Sequence, residues 1–247
     1  MNYKTRYYPE SRFGGFSEVD GTIAFYTRIN ALILPESVVV DAGCGRGAFL
    51  EDPVEYRRNL RLLKGKCFHM IGLDVDAAGE FNPGVDEFRL IDRDAWPVQN
   101  ASVDVCVCDY VLEHVAEPVE FIAECWRILK PGGFLCIRTS NLLSYFGLLA
   151  KLSPLKVQPA LLRKGKGRLS TQETFKTFYR ANTLFRLRRL LTAQGFQGVV
   201  YGNESEPGYL SFSRFFYWLG VLHQRHAPGF IKVGLHAFVQ KPGQAEA

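Results

Sequence analysis

The sequence has no long hydrophobic run, and no stretch reaches the roughly 18 apolar residues that a membrane-spanning helix needs. The longest candidate, Tyr209 to Leu222, is shorter and contains Arg214, but it could still lie on a membrane surface. Residues 1–15 are polar and aromatic, so no secretory leader is expected. These absences predict a cytoplasmic protein and leave a peripheral membrane contact open.

The six cysteines lack the paired spacing of a zinc site or a disulfide framework. Most fall in stretches that read as buried strands or helices, and Cys106 and Cys108 would point to the same side of one strand. Hydrophobic residues make up 47% of the chain, which is enough to build a core without disulfides. We therefore expect a reducing compartment. The histidines form no ligand set, so no catalytic metal is predicted.

Positive charge is concentrated in one part of the chain. Residues 151–190 contain 11 Lys and Arg but one acid, Glu173, while the whole chain carries +5, which leaves about −5 for the remainder. Such a basic block favours an anionic partner, although a solvated helix face gives the same pattern.

Strands alternate with helical segments over the first part of the chain, which predicts a parallel, doubly wound α/β sheet of Rossmann-like type. The predicted sheet has seven strands, with the last one antiparallel, at residues 37–40, 68–73, 88–91, 103–108, 134–138, 196–201 and 235–240. Helices are predicted at 21–34 after an Asp20 cap, at 53–64, at 119–129, and from Asn182 or Thr183 to Gln194. Residues 130–133 are predicted as a sharp turn, and no internal repeats are found.

The most informative motif follows the first predicted strand, where Asp41 precedes the glycines Gly43, Gly45 and Gly47. Because glycine has no Cβ, the backbone of such a loop can approach a ligand closely. The acid before the glycines suits a cationic amine and not a pyrophosphate. The third glycine also comes one residue too early for a dinucleotide-binding pattern.

Acids also end the next two strands, namely Asp74 after Leu73 and Asp92 after Ile91. Since the carboxyl ends of parallel strands meet at one crevice, these acids and Asp41 are expected to share a ligand site. Asp74 can accept two hydrogen bonds from ribose hydroxyls, with Asp76 as a nearby alternative. Asp92, placed against adenine, would accept a hydrogen bond from its exocyclic amine.

Together these motifs resemble the ordered motifs of class I S-adenosylmethionine-dependent methyltransferases, in particular the broad ubiquinone/menaquinone-biosynthesis-like group. The resemblance covers about residues 38–141. It rests on the segments Asp41 to Gly47, Gly72 to Asp74, Asp92 to Pro97, Val103 to Val105, Leu112 to Val115 and Leu129 to Gly133. It implies one domain over residues 1–247, with a lid or helix at 1–36, a cofactor-binding core at 37–141, and substrate-side insertions at 142–180 and 204–233.

The resemblance also implies S-adenosyl-L-methionine as the cofactor and assigns residues to it. Asp41 and the glycine loop would hold the methionine end, Asp74 the ribose and Asp92 the adenine, and the Asp109–Tyr110 segment would close over the sulfonium. The full set of implied cofactor-binding residues is Asp41, Gly43, Cys44, Gly45, Gly47, Asp74, Val75, Asp92, Arg93, Asp109 and Tyr110. The second crossover, residues 76–83, is shorter than in the family and leaves the adenine-side wall undefined.

The aromatic and glycine-rich segment Tyr7–Phe16 is interpreted either as a lid over the cofactor or as a strap packed on the core. Tyr26 or Arg28 could reach the cofactor from the same region. His114 is the candidate general base, because an imidazole can take a proton from a hydroxyl or amine near neutral pH. A pocket-shaping role is the alternative for His114, while Glu113 is expected to be a helix cap or a surface acid.

Candidate substrate-binding residues lie outside the core resemblance. Tyr179 and Arg180 precede a predicted helix N-terminus, an arrangement that suits a phosphate or a carboxylate. Arg214 belongs to the aromatic run 209–218, which is either a cap packed on the sheet or an interfacial helix that admits an amphipathic acceptor.

The sequence therefore predicts methyl transfer from S-adenosylmethionine to a small or amphipathic acceptor, and the basic block is compatible with an anionic one. RNA methylation competes with this interpretation, because basic patches attract phosphates. Against it, residues 109–112 read Asp-Tyr-Val-Leu where many amino-group methyltransferases have Asn/Asp-Pro-Pro-Tyr/Phe. A non-catalytic binding protein and a nicotinamide-dependent dehydrogenase are two further hypotheses, since both can be built on the same fold.

Overall fold

The computed structural model describes residues 3–92, 95–145, 147 and 176–243. Its strands are β1 (Val38–Ala42), β2 (His69–Asp74), β3 (Glu87–Leu90), β4 (Val103–Asp109), β5 (Leu129–Ser140), β6 (Gln197–Asn203) and β7 (Gly234–Gln240). They form one seven-stranded sheet in the order β3-β2-β1-β4-β5-β7-β6. Strands β1 to β5 pair in parallel, and β7 runs antiparallel to both β5 and β6. This confirms the predicted Rossmann-like sheet with an antiparallel last strand.

The described helices are α1 (Tyr3–Tyr7), α2 (Gly21–Leu32), α3 (Glu55–Arg61), α4 (Pro118–Ile128), α5 (Leu184–Gln194) and α6 (Arg214–His226). Asp20 caps α2 by accepting hydrogen bonds from two backbone N–H groups of its first turn, as predicted. Thr183 caps α5, and Gly195 ends it in the left-handed conformation. Within the described residues, no helix is long and apolar enough to cross a membrane.

The start of β5 differs from the prediction. Instead of a separate sharp turn at 130–133, β5 begins at Leu129 and continues to Ser140. Leu129 pairs with Val103 and Phe134 with Val105, so the register against β4 shifts within this stretch. Residues 130–133 therefore form an irregularity within β5, similar to a β-bulge. As a result, β5 begins before the apolar residues that predicted it.

Alternate side chains of the strands pack into two cores, one on each face of the sheet. Val40 and Cys106 belong to the core beneath α4 and α5. Val39 and Val105 belong to the core beneath α2 and α3. Cys106 and Cys108 share one face, which confirms the prediction for this pair.

The N-terminal segment packs against α6. The rings of Tyr3 and Tyr7 lie 5.7 and 5.6 Å from the ring of Tyr217, and the Tyr8 hydroxyl is 3.4 Å from Oε1 of Gln224. Tyr8, Tyr217 and Val221 form a small separate core there. These contacts favour the strap interpretation of the N-terminal segment over the lid.

Candidate active site

Three acids meet at the carboxyl edge of the sheet. Asp41 lies in β1, where it pairs with residues of β2 and β4, and Asp74 and Asp109 end those two strands. Burial raises the pKa of Asp41 to about 7, and the negative charges of Asp109 and Asp74 add to the shift. The structure brings Asp41 and Asp74 to this edge as predicted, but the third acid here is Asp109, whereas Asp92, the third acid of the prediction, is exposed beyond the end of β3.

The glycine loop above this edge has one closed and one open position. Gly43 has φ +81°, its N–H donates to the Leu73 carbonyl at 2.7 Å, and a Cβ at this position would collide with Val111. Gly45 has φ +53°, yet among the residues the structure describes no atom lies within 4 Å of its would-be Cβ. The backbone at Gly45 can therefore be approached by a ligand, which is the property that the motif predicts.

Asp74 holds the glycine loop in place. Its Oδ2 accepts a hydrogen bond from the Gly45 N–H at 2.8 Å, and its Oδ1 accepts one from the Asp76 N–H at 2.9 Å. A carboxylate can accept about four hydrogen bonds, so Asp74 retains the capacity to accept ribose hydroxyls. The same side chain thus shapes the loop and remains available to a ligand.

Asn82 is a residue of this site that the sequence analysis missed. It is buried in the short crossover between β2 and β3, which contains a single turn of 3₁₀ helix at Ala77–Phe81. Its Nδ2 donates to the Cys44 carbonyl at 2.9 Å, and its Oδ1 accepts from the Gly84 N–H at 2.9 Å. The sequence signal was the turn-forming Asn-Pro-Gly, which marks a bend but does not show what the amide will bind.

The carboxylate of Asp109 is held by side chains of β5 and α2. Nε and Nη2 of Arg138 donate to its two oxygens at 2.6 Å each, and the Tyr26 hydroxyl donates to Oδ2 at 2.9 Å. Burial acts to raise the pKa of Asp109, but the charge and hydrogen bonds of Arg138 outweigh burial and lower it. Tyr110 follows with φ +57° and its ring over the Arg138 guanidinium. Its closure over a sulfonium stays a prediction.

Arg61 is a second residue that the sequence did not reveal. Its guanidinium lies over the rings of Phe49 and Tyr26, and its Nη2 is 3.6 Å from Oδ2 of Asp109. Within the described part of the chain, its buried Nε has no hydrogen-bond partner. Of the two residues considered in α2, Tyr26 reaches this site, whereas Arg28 donates to a carbonyl of its own helix and lies over a ring of β7.

The predicted adenine side is the least enclosed part of the site. Val75 is 65% exposed beyond the end of β2, and Asp92 is exposed beyond the end of β3. Arg93 lies outside the described residues, as does the first part of the basic block, 151–175. The adenine-binding roles of Val75, Asp92 and Arg93 stay predictions.

Glu113 is not the helix cap or surface acid that was predicted. Its side chain is buried, with Oε2 accepting from the Thr139 hydroxyl at 2.7 Å and Oε1 from the Ser140 hydroxyl at 3.0 Å. Burial raises its pKa. The prediction was wrong because Glu113 is covered by residues distant in sequence: its carbonyl accepts hydrogen bonds from the backbone N–H groups of Phe178 and Tyr179.

His114 follows Glu113 in a short 3₁₀ turn. Its Nδ1 lies 3.1 Å from the carbonyl oxygen of Lys176. A carbonyl can only accept, so Nδ1 carries a proton in this contact. A catalytic role for His114 stays a prediction.

A cavity of about 110 Å³ opens beside Tyr110 at the same sheet edge. The predicted substrate residues Tyr179, Arg180 and Arg214 do not line it. Arg180 instead donates to the carboxylate of Glu117 at 2.6 Å, so its charge is paired. Roles for these three residues in acceptor binding stay predictions. In the part of the chain described, no group of three or more His, Cys, Asp or Glu side chains is arranged to hold a metal ion.

Comparisons with known proteins show what the central part of the chain is similar to. Residues 40–137 match the family model of a methyltransferase domain. A probable S-adenosylmethionine-dependent methyltransferase of Mycolicibacterium smegmatis is 33% identical over 112 residues, which are 43% of this chain and 39% of that protein. A ubiquinone biosynthesis O-methyltransferase of Hahella chejuensis is 32% identical over 117 residues, which are 44% of this chain and 45% of that protein. The chain thus spans less than half the length of these curated relatives.

A solved structure extends the likeness of fold beyond the matched segment. The S-adenosylmethionine-dependent methyltransferase from Archaeoglobus fulgidus superposes with a TM-score of 0.56 at 17% identity, over 94% of this chain and 97% of that one. At this identity the likeness shows the fold alone. Residues 40–137 therefore match a methyltransferase domain, and the chain around them has the Rossmann-like fold of the solved S-adenosylmethionine-dependent methyltransferase.

Proposed function

We propose that the protein binds S-adenosylmethionine at the carboxyl edge of β1, β2 and β4 and transfers its methyl group to a small or amphipathic acceptor. The observation that carries the proposal is the open backbone at Gly45 between the carboxylates of Asp41 and Asp74. A ligand that brings a cation and a diol to this point would match both acids.

The methionine amine is assigned to Asp41. The raised pKa of this carboxyl group means that its surroundings disfavour its charge, because burial and the acids Asp109 and Asp74 act in the same direction. An ammonium group beside Asp41 would reverse that preference. A pyrophosphate would worsen it, which is why a dinucleotide is a poor match for this edge.

The methionine carboxylate is assigned to Arg61. Its guanidinium extends from the end of α3 toward Asp109 and has an unused buried donor at Nε within the described structure. Arginine donates to a carboxylate through two parallel N–H groups, so Nε and a neighbouring nitrogen could bind it together. Asp41 and Arg61 would then recognise the two charged ends of one amino acid.

The remaining cofactor contacts follow from the strand ends. Asp74 would accept hydrogen bonds from the ribose hydroxyls, and the exposed Val75 and Asp92 would border the adenine. The bound cofactor supplies an electrophilic methyl group on a sulfonium. The protein's own part is to hold Tyr110 and the acceptor in line with it, and the Arg138–Asp109 pair fixes the backbone from which Tyr110 projects.

We also propose that α6 contacts an anionic membrane surface, where an amphipathic acceptor would be found. Six apolar side chains on and beside this helix are between 36% and 60% exposed, namely Phe212, Phe215, Phe216, Trp218, Leu219 and Leu222. The helix contains Arg214 and Arg225 and no acidic residue. Aromatic residues combined with cations are typical of helices that lie in a membrane interface.

The cofactor assignment is tested by calorimetric titration of the full chain with S-adenosylhomocysteine and, separately, with NADH. Asp74→Asn should weaken S-adenosylhomocysteine binding by roughly ten- to a hundredfold, since hydrogen bonds to charged groups contribute about 1.5–3 kcal/mol. The matched control is Asp104→Asn, at the opposite end of β4, where the side chain binds Lys130 and the Val38 N–H. It should leave that affinity unchanged.

Two results would contradict the proposal. Binding of NADH in place of S-adenosylhomocysteine would indicate a dehydrogenase. Binding of neither ligand by the folded protein would indicate a non-catalytic member of the fold.

A further inference from the structure

The cavity beside Tyr110 is built on a different part of the sheet from the cofactor site. It lies where β5 and β6 end and β7 begins, and it is lined by the rings of Tyr110, Tyr145 and Tyr209 and by the carboxylates of Glu204 and Glu206. It adjoins the cofactor site, because Tyr110 directly follows Asp109 and Arg138 binds the Asp109 carboxylate. The cavity is therefore placed to receive the molecule that accepts the methyl group.

The charges lining the cavity are predominantly negative. Among the described residues that line it, the permanent cation is Arg138, and both oxygens of Asp109 already pair with that guanidinium. Glu204 is only 5% exposed and accepts a backbone N–H from Val233, and its pKa is raised to about 7 by burial. Lys4 pairs with Oε1 of Glu206 at 2.6 Å, and Nδ1 of His223 lies 3.3 Å from Oε2 of Glu204. Within the described residues, one carboxylate oxygen, Oε2 of Glu206, is left over, whereas the Arg138 guanidinium is committed to Asp109. The lining therefore favours a cation over an anion.

Two polar atoms of the lining are unused. Oε2 of Glu206 and Nδ1 of His236 are buried, and neither has a hydrogen-bond partner in the described part of the chain. His236 is 1% exposed, and burial together with the Arg138 charge keeps its ring neutral by lowering its pKa to about 3. A buried acceptor without a donor is costly, so Oε2 of Glu206 indicates that a ligand with N–H or O–H groups binds here.

We infer that this cavity binds the acceptor through a protonated amine, held by Glu206 and surrounded by the rings of Tyr110, Tyr145 and Tyr209. Tyrosine rings attract a cation through their faces, and a carboxylate adds a charge-assisted hydrogen bond. An anionic acceptor would instead meet Glu204 and Glu206. The inference rests on the proposed methyl transfer and makes it an N-methylation.

The transfer balances with the residues present. The ammonium group gives one proton to the Glu204 carboxylate, and the lone pair on nitrogen forms the new N–C bond as the S–C bond of S-adenosylmethionine breaks. The product is a protonated methylamine, which carries the positive charge that the sulfonium loses. Glu204 afterwards releases its proton to solvent.

The inference is tested with benzylamine, benzyl alcohol and benzoate, which share a ring and differ in charge. Each is titrated into the full chain near neutral pH, with and without saturating S-adenosylhomocysteine. Benzylamine should bind at least tenfold more tightly than benzyl alcohol, and benzoate most weakly, because a charge-assisted hydrogen bond contributes about 1.5–3 kcal/mol. Glu206→Gln should weaken benzylamine about tenfold and leave the alcohol unchanged. The matched control Glu120→Gln, on the exposed face of α4, should alter none of the three.

If the wild-type protein binds the three probes equally, or prefers benzoate, the inference is overturned. The inference is also overturned if the Glu206→Gln protein binds S-adenosylhomocysteine normally and binds benzylamine as tightly as the wild type does. Failure of the proposed function is a separate result, because it appears as a lack of S-adenosylhomocysteine binding. The titrations without that ligand still report the amine preference.

Discussion

Replacing Asp41 with asparagine should make the protein more stable and a poorer binder of its cofactor. In the folded chain the pKa of Asp41 is about 7, against an ordinary value of 3.8. Above neutral pH the folded protein must therefore hold a charge that its interior disfavours. Asparagine has nearly the same shape and no charge, so the substitution removes that cost.

The expected gain in stability can be calculated from the raised pKa of Asp41. A difference of about three pKa units corresponds to about 4 kcal/mol, which is an upper limit on the gain in free energy of unfolding at about pH 8. The sign depends on pH. Between about pH 4 and about pH 7 the unfolded chain has lost the Asp41 proton while the folded protein retains it, so this group's contribution to stability falls as pH rises. The gain from asparagine should therefore be only about 1 kcal/mol at about pH 4.5 and largest above about pH 7.

Guanidinium denaturation at both pH values measures the gain in stability, and calorimetry measures S-adenosylhomocysteine affinity, with Asp104→Asn as the control. We expect the variant to bind roughly 10- to 100-fold more weakly, because a charged hydrogen bond to the ligand amine is lost. A variant that is destabilised at the higher pH, or equally affected at both pH values, would refute the raised pKa of Asp41, which burial and the charges of Asp109 and Asp74 produce. Unchanged affinity would refute the assignment of the amine to Asp41.

The glycine loop and the α6 surface give the remaining predictions. Gly43→Ala should lower the melting temperature by several degrees, because the new Cβ would collide with Val111 and the φ of this residue is positive. Gly45→Ala should reduce the free energy of unfolding by only about 1 kcal/mol, from left-handed strain. It should still weaken S-adenosylhomocysteine binding at least tenfold. Differential scanning fluorimetry and calorimetry on the two variants separate these outcomes, and equal losses of stability would contradict the open position at Gly45. Trp218→Ser should reduce cosedimentation with phosphatidylserine-containing vesicles severalfold, since 41% of the side chain is exposed on the helix. Binding that is independent of Trp218 or of anionic lipid would contradict the membrane contact.

Much of the fold could be predicted because its determinants are local. Apolar runs of four to six residues placed each of the seven strands to within a few residues, and the Asp20 and Gly195 signals placed helix ends correctly. The prediction differs from the structure at 130–133, where β5 has already begun at Leu129 and its register shifts against β4. Gly132 keeps the positive φ of a turn, and backbone hydrogen bonds of Gly132 and Gly133 with Lys241 hold the stretch beside the end of β7. Local propensity does not predict those distant partners.

The acids of the site could be predicted for a related reason: each follows a strand, and parallel strands end at one edge. Arg61 and Arg138 could not, because an arginine at a helix end or within a strand is ordinary until the fold shows what faces it. Glu113 was misjudged on the same grounds, since the Phe178–Tyr179 segment that covers it lies far away in the sequence. Residues whose role depends on long-range partners leave no local pattern.

Comparing the three strand-end acids shows why the functional assignment depends on charge balance. Asp74 is stabilised by backbone N–H groups and Asp109 by Arg138, so the fold itself accounts for their charges. The partners of Asp41 do not offset its burial, so its pKa is raised. In the neighbouring cavity, one buried oxygen of Glu206 has no hydrogen-bond donor in the described part of the chain. Folding alone would favour a neutral residue at position 41. The presence of Asp41 is explained if it meets the amine of the cofactor. The second oxygen of Glu206, which Lys4 leaves without a donor, is explained if it meets the amine of the acceptor.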